Sequence, residues 1–240
     1  MAGKPIWGSP KTQPARGRPA ELTRNQITAA AVALADAEGL AAVTMRRVAA
    51  ELNTGPASLY RHVATRNELV ALMVDLALGE ADPASATSKW RVDIVAAQLR
   101  WLRYLHRRPW LLDALDRQPI GPNALCLIED NLRLVAPCPA SGPEKMEAIT
   151  VLSGLVCTIA QHDRSHDGVS DQMQLAAHLD FLSRAVTDSS HPHLAAALAS
   201  SDPHAGESPE DRVARILSRV LDGLLPEYPI AARARRPGRC

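Results

Sequence analysis

The sequence predicts an all-α protein with two domains. Its 240 residues are 46% hydrophobic but only 3% aromatic, so a core must be built mainly from Leu, Ala, Val and Ile. Apolar residues recur with the helical spacing of three and four, and no segment shows the alternation of a half-buried strand. A chain of this length can bury a substantial core in one or two domains.

The charges divide the chain into two unequal parts. Residues 1–66 hold nine Lys and Arg against four Asp and Glu, whereas residues 67–240 hold eighteen against twenty-two. This asymmetry is typical of a DNA-binding domain fused to a domain that does not touch DNA. Residues 1–20 and 229–240 are predicted to be disordered basic tails. The first tail either lies along DNA or is simply solvated.

Two helices joined by a short turn are predicted early in the chain. A capping box at Thr23 and Gln26 opens the helix that precedes them, and Gly39 ends it. Thr44 is a suitable N-terminal cap for the next helix. That helix has one apolar stripe with i, i+3, i+4, i+7 spacing, formed by Met45, Val48, Ala49 and Leu52.

The turn and the following helix complete a helix-turn-helix. Asn53 tolerates the left-handed conformation that ends many helices. Thr54 and Gly55 form the turn, and Pro56 suits the first position of a helix that runs to about Val63. The second helix of such a motif enters the major groove of DNA. From the pattern alone, an ordinary helical hairpin remains the alternative interpretation.

The sequence of residues 44–69 closely resembles the DNA-binding motif of TetR-family bacterial transcription regulators. The string LYRHV at 59–63 matches the family's recognition helix, and RNEL at 66–69 matches the start of its next helix. The resemblance covers about residues 22–76. It implies that residues 21–68 form a three-helix DNA-binding domain.

The resemblance also implies which side chains meet DNA. Residues 55–62 would face the groove, with Arg61 contacting either a guanine edge or a phosphate. Tyr60 and His62 match positions that mostly donate to phosphate, although Tyr60 is also compatible with a core position. The predicted DNA-binding residues are Thr44, Arg46, Gly55, Ser58, Tyr60, Arg61, His62 and Arg66.

Residues 69–228 are predicted to form a helical ligand-binding and dimerisation domain. A capping box at Thr65 and Glu68 opens a helix that would link it to the DNA-binding domain. The next helix, Lys89 to Arg108, is expected to bury Val92 and the apolar residues that follow at helical spacing. Further helices are predicted at 110–116, 125–135, 144–162, 175–182 and 209–225, and residues 188–207 are predicted to be flexible.

Three strings in this part resemble the tetracycline-repressor-like C-terminal domain. They are RPWL at 108–111, PIGPN at 119–123 and LDGL at 221–224. The resemblance implies a homodimer in which helices 144–162 and 209–225 pair with their counterparts, although their apolar faces fit a monomer core equally well. The predicted effector contacts are Trp101, Tyr104, Trp110 and Asn131. The alternative interpretation is that these are ordinary core or surface residues.

Other functional classes receive little support from the sequence. His162 and His166 have a spacing that can bind zinc, but a solvent-exposed helix end is the favoured interpretation. No phosphate-binding Gly loop, nucleophile elbow or zinc-protease motif is present, so neither catalysis nor a cofactor is predicted. No apolar run approaches the roughly 18–20 residues that span a bilayer. Four cysteines without CxxC spacing fit a reduced cytoplasmic protein.

We therefore expect a transcriptional regulator that binds a palindromic DNA operator as a homodimer. A small-molecule effector would release the protein, acting as a repressor, from DNA. Activation of transcription is the alternative. Two other interpretations remain open: a sensor whose helix-turn-helix no longer reads sequence, and an architectural helical dimer. Salt-dependent but sequence-blind DNA binding would favour the first, and no DNA binding the second.

Overall fold

The computed structural model describes residues 6–7, 22–83, 85–87, 89–166, 181, 191–200 and 203–225. Within these residues every regular element is a helix, which confirms the predicted all-α class. None of the helices in the described part is long and apolar enough to cross a membrane.

The N-terminal unit consists of three helices. They are α1 (Arg24–Glu38), α2 (Met45–Glu51) and α3 (Pro56–Tyr60), with a short 3-10 segment between the first two. Helix α1 packs against α2, and α2 packs against α3. Leu59 of α3 and Val63, which follows α3, have no exposed surface because both side chains pack into the hydrophobic core.

Local hydrogen bonds fix where these helices begin and end. The Thr23 and Thr44 hydroxyls accept from backbone N–H groups in the first turns of α1 and α2, as predicted. Asn53 has φ of 51° and takes the left-handed conformation at the turn. The orientation of α3 relative to α2 therefore follows from local sequence chemistry.

Helix α4 (Arg66–Gly79) joins the two parts of the protein. Thr65 caps it by accepting from the Glu68 N–H, and α4 packs against α1 on one side. On the other side it packs against α6 (Pro122–Leu134) of the C-terminal part. The predicted domain boundary at 68/69 thus falls inside a continuous helix, which can transmit movement between the parts.

The C-terminal part is arranged around α5 (Trp90–Arg107). This helix packs against α6, α7 (Gly142–His166) and α9 (Pro209–Leu224). Because neighbours cover it on several sides, its buried face is wide and includes Asp93 and Gln98 as well as apolar residues. Pro109 follows α5 and begins a 3-10 segment, since proline has no N–H to continue the helix.

Some details differ from the sequence-based expectations. Val92 is 61% exposed, because the buried face of α5 begins at Asp93 and Ile94 rather than at Val92. The stretch predicted to be flexible contains helix α8 (Pro192–Ala199), which an N-terminal proline and a run of Leu and Ala favour. The predicted helix 110–116 is two 3-10 segments, at 109–113 and 115–117.

Several other expectations concern residues at the edge of the described part. Ile6 and Trp7 lie inside the predicted N-terminal tail but are half-buried, and the Ile6 carbonyl accepts from Arg24 Nη1 at 3.0 Å. The other residues of both tails, and the predicted helix at 175–182 except Phe181, lie outside the described residues.

Gly121 tests the close packing between α4 and the start of α6. A Cβ at Gly121 would lie 2.2 Å from Asp75 Oδ1, so Gly121→Ala should lower the free energy of unfolding by about 1–3 kcal/mol. Gly142→Ala is the matched control, since no atom lies within 4 Å of a Cβ built there. Urea unfolding of both variants measures the difference. Equal stability would contradict the close approach at Gly121.

Candidate DNA interface and ligand cavity

One exposed surface carries most of the predicted DNA-binding residues. Thr44 and Arg46 lie at the start of α2, and Gly55, Tyr60 and Arg61 lie on or beside α3, all exposed. Ser58 is half-buried, and its hydroxyl accepts from Arg61 Nη2 at 3.3 Å. Two N-terminal helix ends and two arginines therefore share this surface, which suits binding to phosphates and base edges.

Two of the predicted contacts have intramolecular roles. Arg66 donates from Nε to the Val43 carbonyl at 2.7 Å and from Nη2 to the Leu40 carbonyl at 2.9 Å. Its guanidinium thus fastens the segment before α2 to the start of α4. His62 is half-buried, and its carbonyl accepts from Arg24 Nε at 3.1 Å. Arg24 also pairs with Glu68.

A cavity of about 510 Å³ lies in the C-terminal part, a size that suits a small organic ligand. It is lined by α5, α6 and α7, with the end of α4 and the 3-10 segment at 115–117 at its edge. Trp101, Tyr104 and Asn131 line it, whereas Trp110 does not. Trp110 is buried elsewhere and donates from Nε1 to Asp36 of α1 at 2.6 Å.

The polar groups on one wall of the cavity form a connected set. Gln98 Nε2 donates to Asn131 Oδ1 at 3.2 Å, and Asn131 Nδ2 donates to the Leu127 carbonyl at 2.7 Å. The Ser153 hydroxyl donates to Gln98 Oε1 at 3.4 Å. Gln98 and Asn131 are buried, so these bonds replace the water they lose on folding.

An aromatic wall stands opposite hydrogen-bonding groups from α4 and α7. The rings of Trp101 and Tyr104 stack with centroids 5.5 Å apart. Burial raises the pKa of the Tyr104 hydroxyl, so this hydroxyl stays protonated and donates to the Ala77 carbonyl at 2.6 Å. Burial also raises the pKa of the Cys157 thiol, against a smaller lowering by the Trp101 indole N–H.

A cluster of charged groups connects this cavity to the DNA-binding helices. Arg108 donates from Nη1 to the Tyr104 oxygen at 2.8 Å and pairs with Glu80 at 2.6 Å and with Asp36 at 3.2 Å. The carboxylate of Asp36 also accepts from Trp110. Sequence reasoning missed this cluster because its members are far apart in the chain.

A second missed contact joins α4 to α6. Asp75 of α4 is buried, and its Oδ1 accepts from the N–H groups of Asn123 at 2.9 Å and Ala124 at 3.2 Å. A carboxylate from one helix thereby caps the N-terminus of another. The signal for this contact was present in the sequence, since Asp75 is a charged residue inside an otherwise apolar stretch.

The histidines whose spacing could bind zinc lie near the end of α7. His162 is exposed at the end of α7, and the side chain of His166 lies outside the described residues. No group of three or more His, Cys, Asp or Glu in the described part is arranged to hold a metal ion. The cysteines at 126, 138 and 157 are free thiols.

Two family models match nearly the whole of this arrangement. Residues 27–73, which include the helix-turn-helix, match bacterial regulatory proteins of the tetR family. Residues 82–228, which include the cavity, match the tetracyclin repressor-like C-terminal domain. The chain belongs to the TetR family. It is a DNA-binding transcriptional regulator.

Individual relatives agree with this TetR-family membership. The chain is 34% identical over 228 residues to the transcriptional repressor DrrR1 of Streptomyces coeruleorubidus, covering 91% of this chain and 83% of DrrR1. ActR of Streptomyces coelicolor in complex with actinorhodin superimposes with a TM-score of 0.73 at 28% identity, covering 89% of this chain and 100% of ActR. The ActR complex with (S)-DNPA gives 0.67 at 30% identity, covering 86% and 98%.

The TetR-family surface predicts different roles for Arg66 and Arg46. Arg66→Ala removes two donors to backbone carbonyls and should cost about 1–2 kcal/mol of unfolding free energy. Arg46 is exposed, so Arg46→Ala should leave stability within about 0.5 kcal/mol of wild type. It should instead lower the salt-dependence slope of DNA binding by about one. Thermal unfolding and salt titrations measure both. If Arg46→Ala lowered the stability of the protein and Arg66→Ala did not, the roles assigned to the two arginines would be wrong.

Proposed function

We propose that the protein is a cytoplasmic repressor that binds a palindromic operator as a homodimer and leaves it when a small molecule fills the C-terminal cavity. It acts by binding and not by catalysis. The observation that carries this proposal is the connection between the two sites: one wall residue of the cavity, Tyr104, is hydrogen-bonded to α4 and, through Arg108, to α1.

The DNA contacts follow from the exposed surface described above. Arg61 is the proposed base reader, since a guanidinium matches the O6 and N7 acceptors of guanine. Thr44, Arg46 and Tyr60 are proposed phosphate contacts, with the backbone at Gly55 close to the groove. Ser58 orients Arg61 through their hydrogen bond or contacts DNA itself. Arg66 is given a positioning role because its guanidinium already holds two carbonyl groups.

A dimer is supported by apolar surface on two adjacent helices. Helices α7 and α9 pack against each other, and Met146 and Val151 of α7 are 39% and 41% exposed. Ile216 and Val220 of α9 are also partly exposed. Pairing of these helices with a second copy would cover this surface. It would also fix the distance between the two α3 helices, and thereby the spacing of the operator half-sites.

The cavity is the proposed effector site. ActR has been solved with actinorhodin and with (S)-DNPA, and this chain shares its fold along nearly its whole length. We infer that this cavity takes an aromatic small molecule of similar size, with Trp101 and Tyr104 as the aromatic wall. Asn131 serves the wall by fixing Gln98, and Trp110 belongs to the link with α1.

Two contacts would pass the effector signal to the recognition helices. A ligand that shifts Tyr104 would alter its bonds to Ala77 of α4 and to Arg108, which holds Asp36 of α1. A shift of α6 would act on α4 through Asp75. The effector releases DNA only if it binds the geometry without DNA more tightly than the DNA-bound geometry.

Selection from a random duplex pool tests the operator-binding role. The wild-type protein should enrich an inverted repeat, because two identical α3 helices read two identical half-sites. Arg61→Ala should relax the preference at one position of each half-site, at a cost of about 1–3 kcal/mol there. Arg103→Ala, on α5 in the C-terminal part, is the matched arginine control and should select the same sequence as wild type. Recovery of no consensus by folded wild-type protein would contradict sequence-specific regulation.

Asp36 tests the proposed route of the signal. Asp36→Asn removes the charge that pairs with Arg108 but lies outside the cavity, so actinorhodin should still bind. The factor by which saturating actinorhodin weakens operator binding should fall about three- to tenfold. Glu38→Gln is the matched control, because this α1 residue pairs with Arg47 inside the DNA-binding domain.

The measurement is operator affinity with and without actinorhodin for the three proteins. A weakening as large in Asp36→Asn as in wild type would contradict transmission through Asp36. Wild-type protein that stays on its operator at saturating actinorhodin would show that this compound is not an effector of this regulator.

A further inference from the structure

Arg100 of α5 is a half-buried cation on the cavity wall, and two of its guanidinium nitrogens have no hydrogen-bond partner within the described part of the protein. Its Nε and Nη2 atoms are both buried, and neither has an acceptor within hydrogen-bonding distance among the described residues. Arg100 is the only Lys or Arg among the described residues that line the cavity. Unsatisfied buried guanidinium nitrogens are rare, since losing their water without a new partner costs free energy.

The other interior polar side chains of the cavity already have partners. Hydrogen bonds within the protein engage the amides and hydroxyls of Gln98, Tyr104, Asn131 and Ser153, whereas Thr158 and Gln161 at the edge of the cavity are exposed to water. These groups need nothing from a ligand. Among the buried and half-buried polar groups of the cavity, the Arg100 guanidinium is therefore the one that most needs a hydrogen-bond acceptor from a ligand.

The carboxylates near the cavity do not meet this demand. Asp82 and Asp116 line the cavity but are exposed, so water screens their charges. Asp130 pairs with Arg133 at 3.0 Å. The positive charge of Arg100 is thus without an ion-pair partner in the described part of the chain, and an anion placed there would recover both charge balance and hydrogen bonds.

We propose that the effector of this regulator is an anion: a flat, mostly apolar molecule that carries one acidic group. The acidic group, such as a carboxylate or a sulfonate, pairs with the Arg100 guanidinium once a side-chain rotation turns Nε and Nη2 towards the cavity, while the apolar body lies against Trp101 and the aliphatic walls. This inference rests on the proposed function, because it takes the cavity to be the effector site. The anionic group sets specificity, since a neutral analogue would leave the guanidinium unpaired.

Two dyes that share an aromatic body test the charge requirement without DNA. 1-Anilinonaphthalene-8-sulfonate carries one acidic group, and N-phenyl-1-naphthylamine lacks it. Fluorescence titration of the full-length protein should give at least about tenfold tighter binding of the sulfonate. Arg100→Met should remove that preference by weakening the sulfonate alone, because the methionine keeps most of the apolar stem.

Three further proteins make the result specific to this position. Arg103→Met removes an arginine one turn along α5 that pairs with Glu210, and it should keep the wild-type preference. Arg100→Lys should retain part of it, since an ammonium supplies charge but no fork. Ala97→Phe fills the cavity one turn before Arg100, so both dyes should lose affinity.

Stability provides a second readout. Without dye, Arg100→Met should unfold at the same temperature as wild type or higher, because no internal partner is lost. Equal affinity of wild type for the two dyes, or an unchanged sulfonate affinity in Arg100→Met, would overturn the inference. So would failure of folded wild type to bind either dye. Since no DNA is present, these outcomes are independent of whether the protein releases an operator.

Discussion

The arrangement of the two parts depends on the ion pairs of one side chain, Arg108. Its side chain is 19% exposed, and its guanidinium meets Asp36 from α1, Glu80 from the end of α4, and Tyr104 from α5. A planar, permanently charged fork can satisfy three partners from three directions, which an ammonium cannot do with the same geometry. Because Pro109 ends α5 immediately afterwards, Arg108 is held at the junction where these elements meet.

Helix α4 is likewise held by hydrogen bonds from both parts of the protein. The Ala77 carbonyl near its end accepts from Tyr104, and Asp75, two residues earlier, caps α6. These bonds are buried, so breaking one without a replacement is costly and the helices move together rather than independently. The start of α4 is fixed with equal firmness, since Arg66 ties it to the segment before α2. A displacement at the cavity therefore reaches the DNA surface along a short, rigid element.

The accuracy of sequence-based prediction here follows the range of the interactions involved. Caps such as Thr44 and the left-handed Asn53 depend on neighbours within four residues, and the structure agrees with them. Trp110 is predicted from the sequence as an effector contact or a core residue, but its partner Asp36 lies 74 residues away and no local pattern shows it. The exposure of Val92 likewise depends on how α7 and α9 cover α5. Aspartates or arginines within apolar stretches are the remaining signal, since a buried charge requires a partner.

Arg100 of α5 and Arg108, which directly follows α5, show how binding and signalling can share one element. Arg108 is engaged with Asp36 of α1, Glu80 after α4 and Tyr104 of α5, whereas Arg100, eight residues earlier, has buried nitrogens with no partner in the described protein. Arg108 directly follows the last residue of α5, so a displacement of this helix would act on both side chains. The proposed anion at Arg100 would therefore act on the helix whose C-terminal cap, Arg108, pairs with Asp36. Binding of the proposed anion at Arg100 would in this way be converted into displacement of α1.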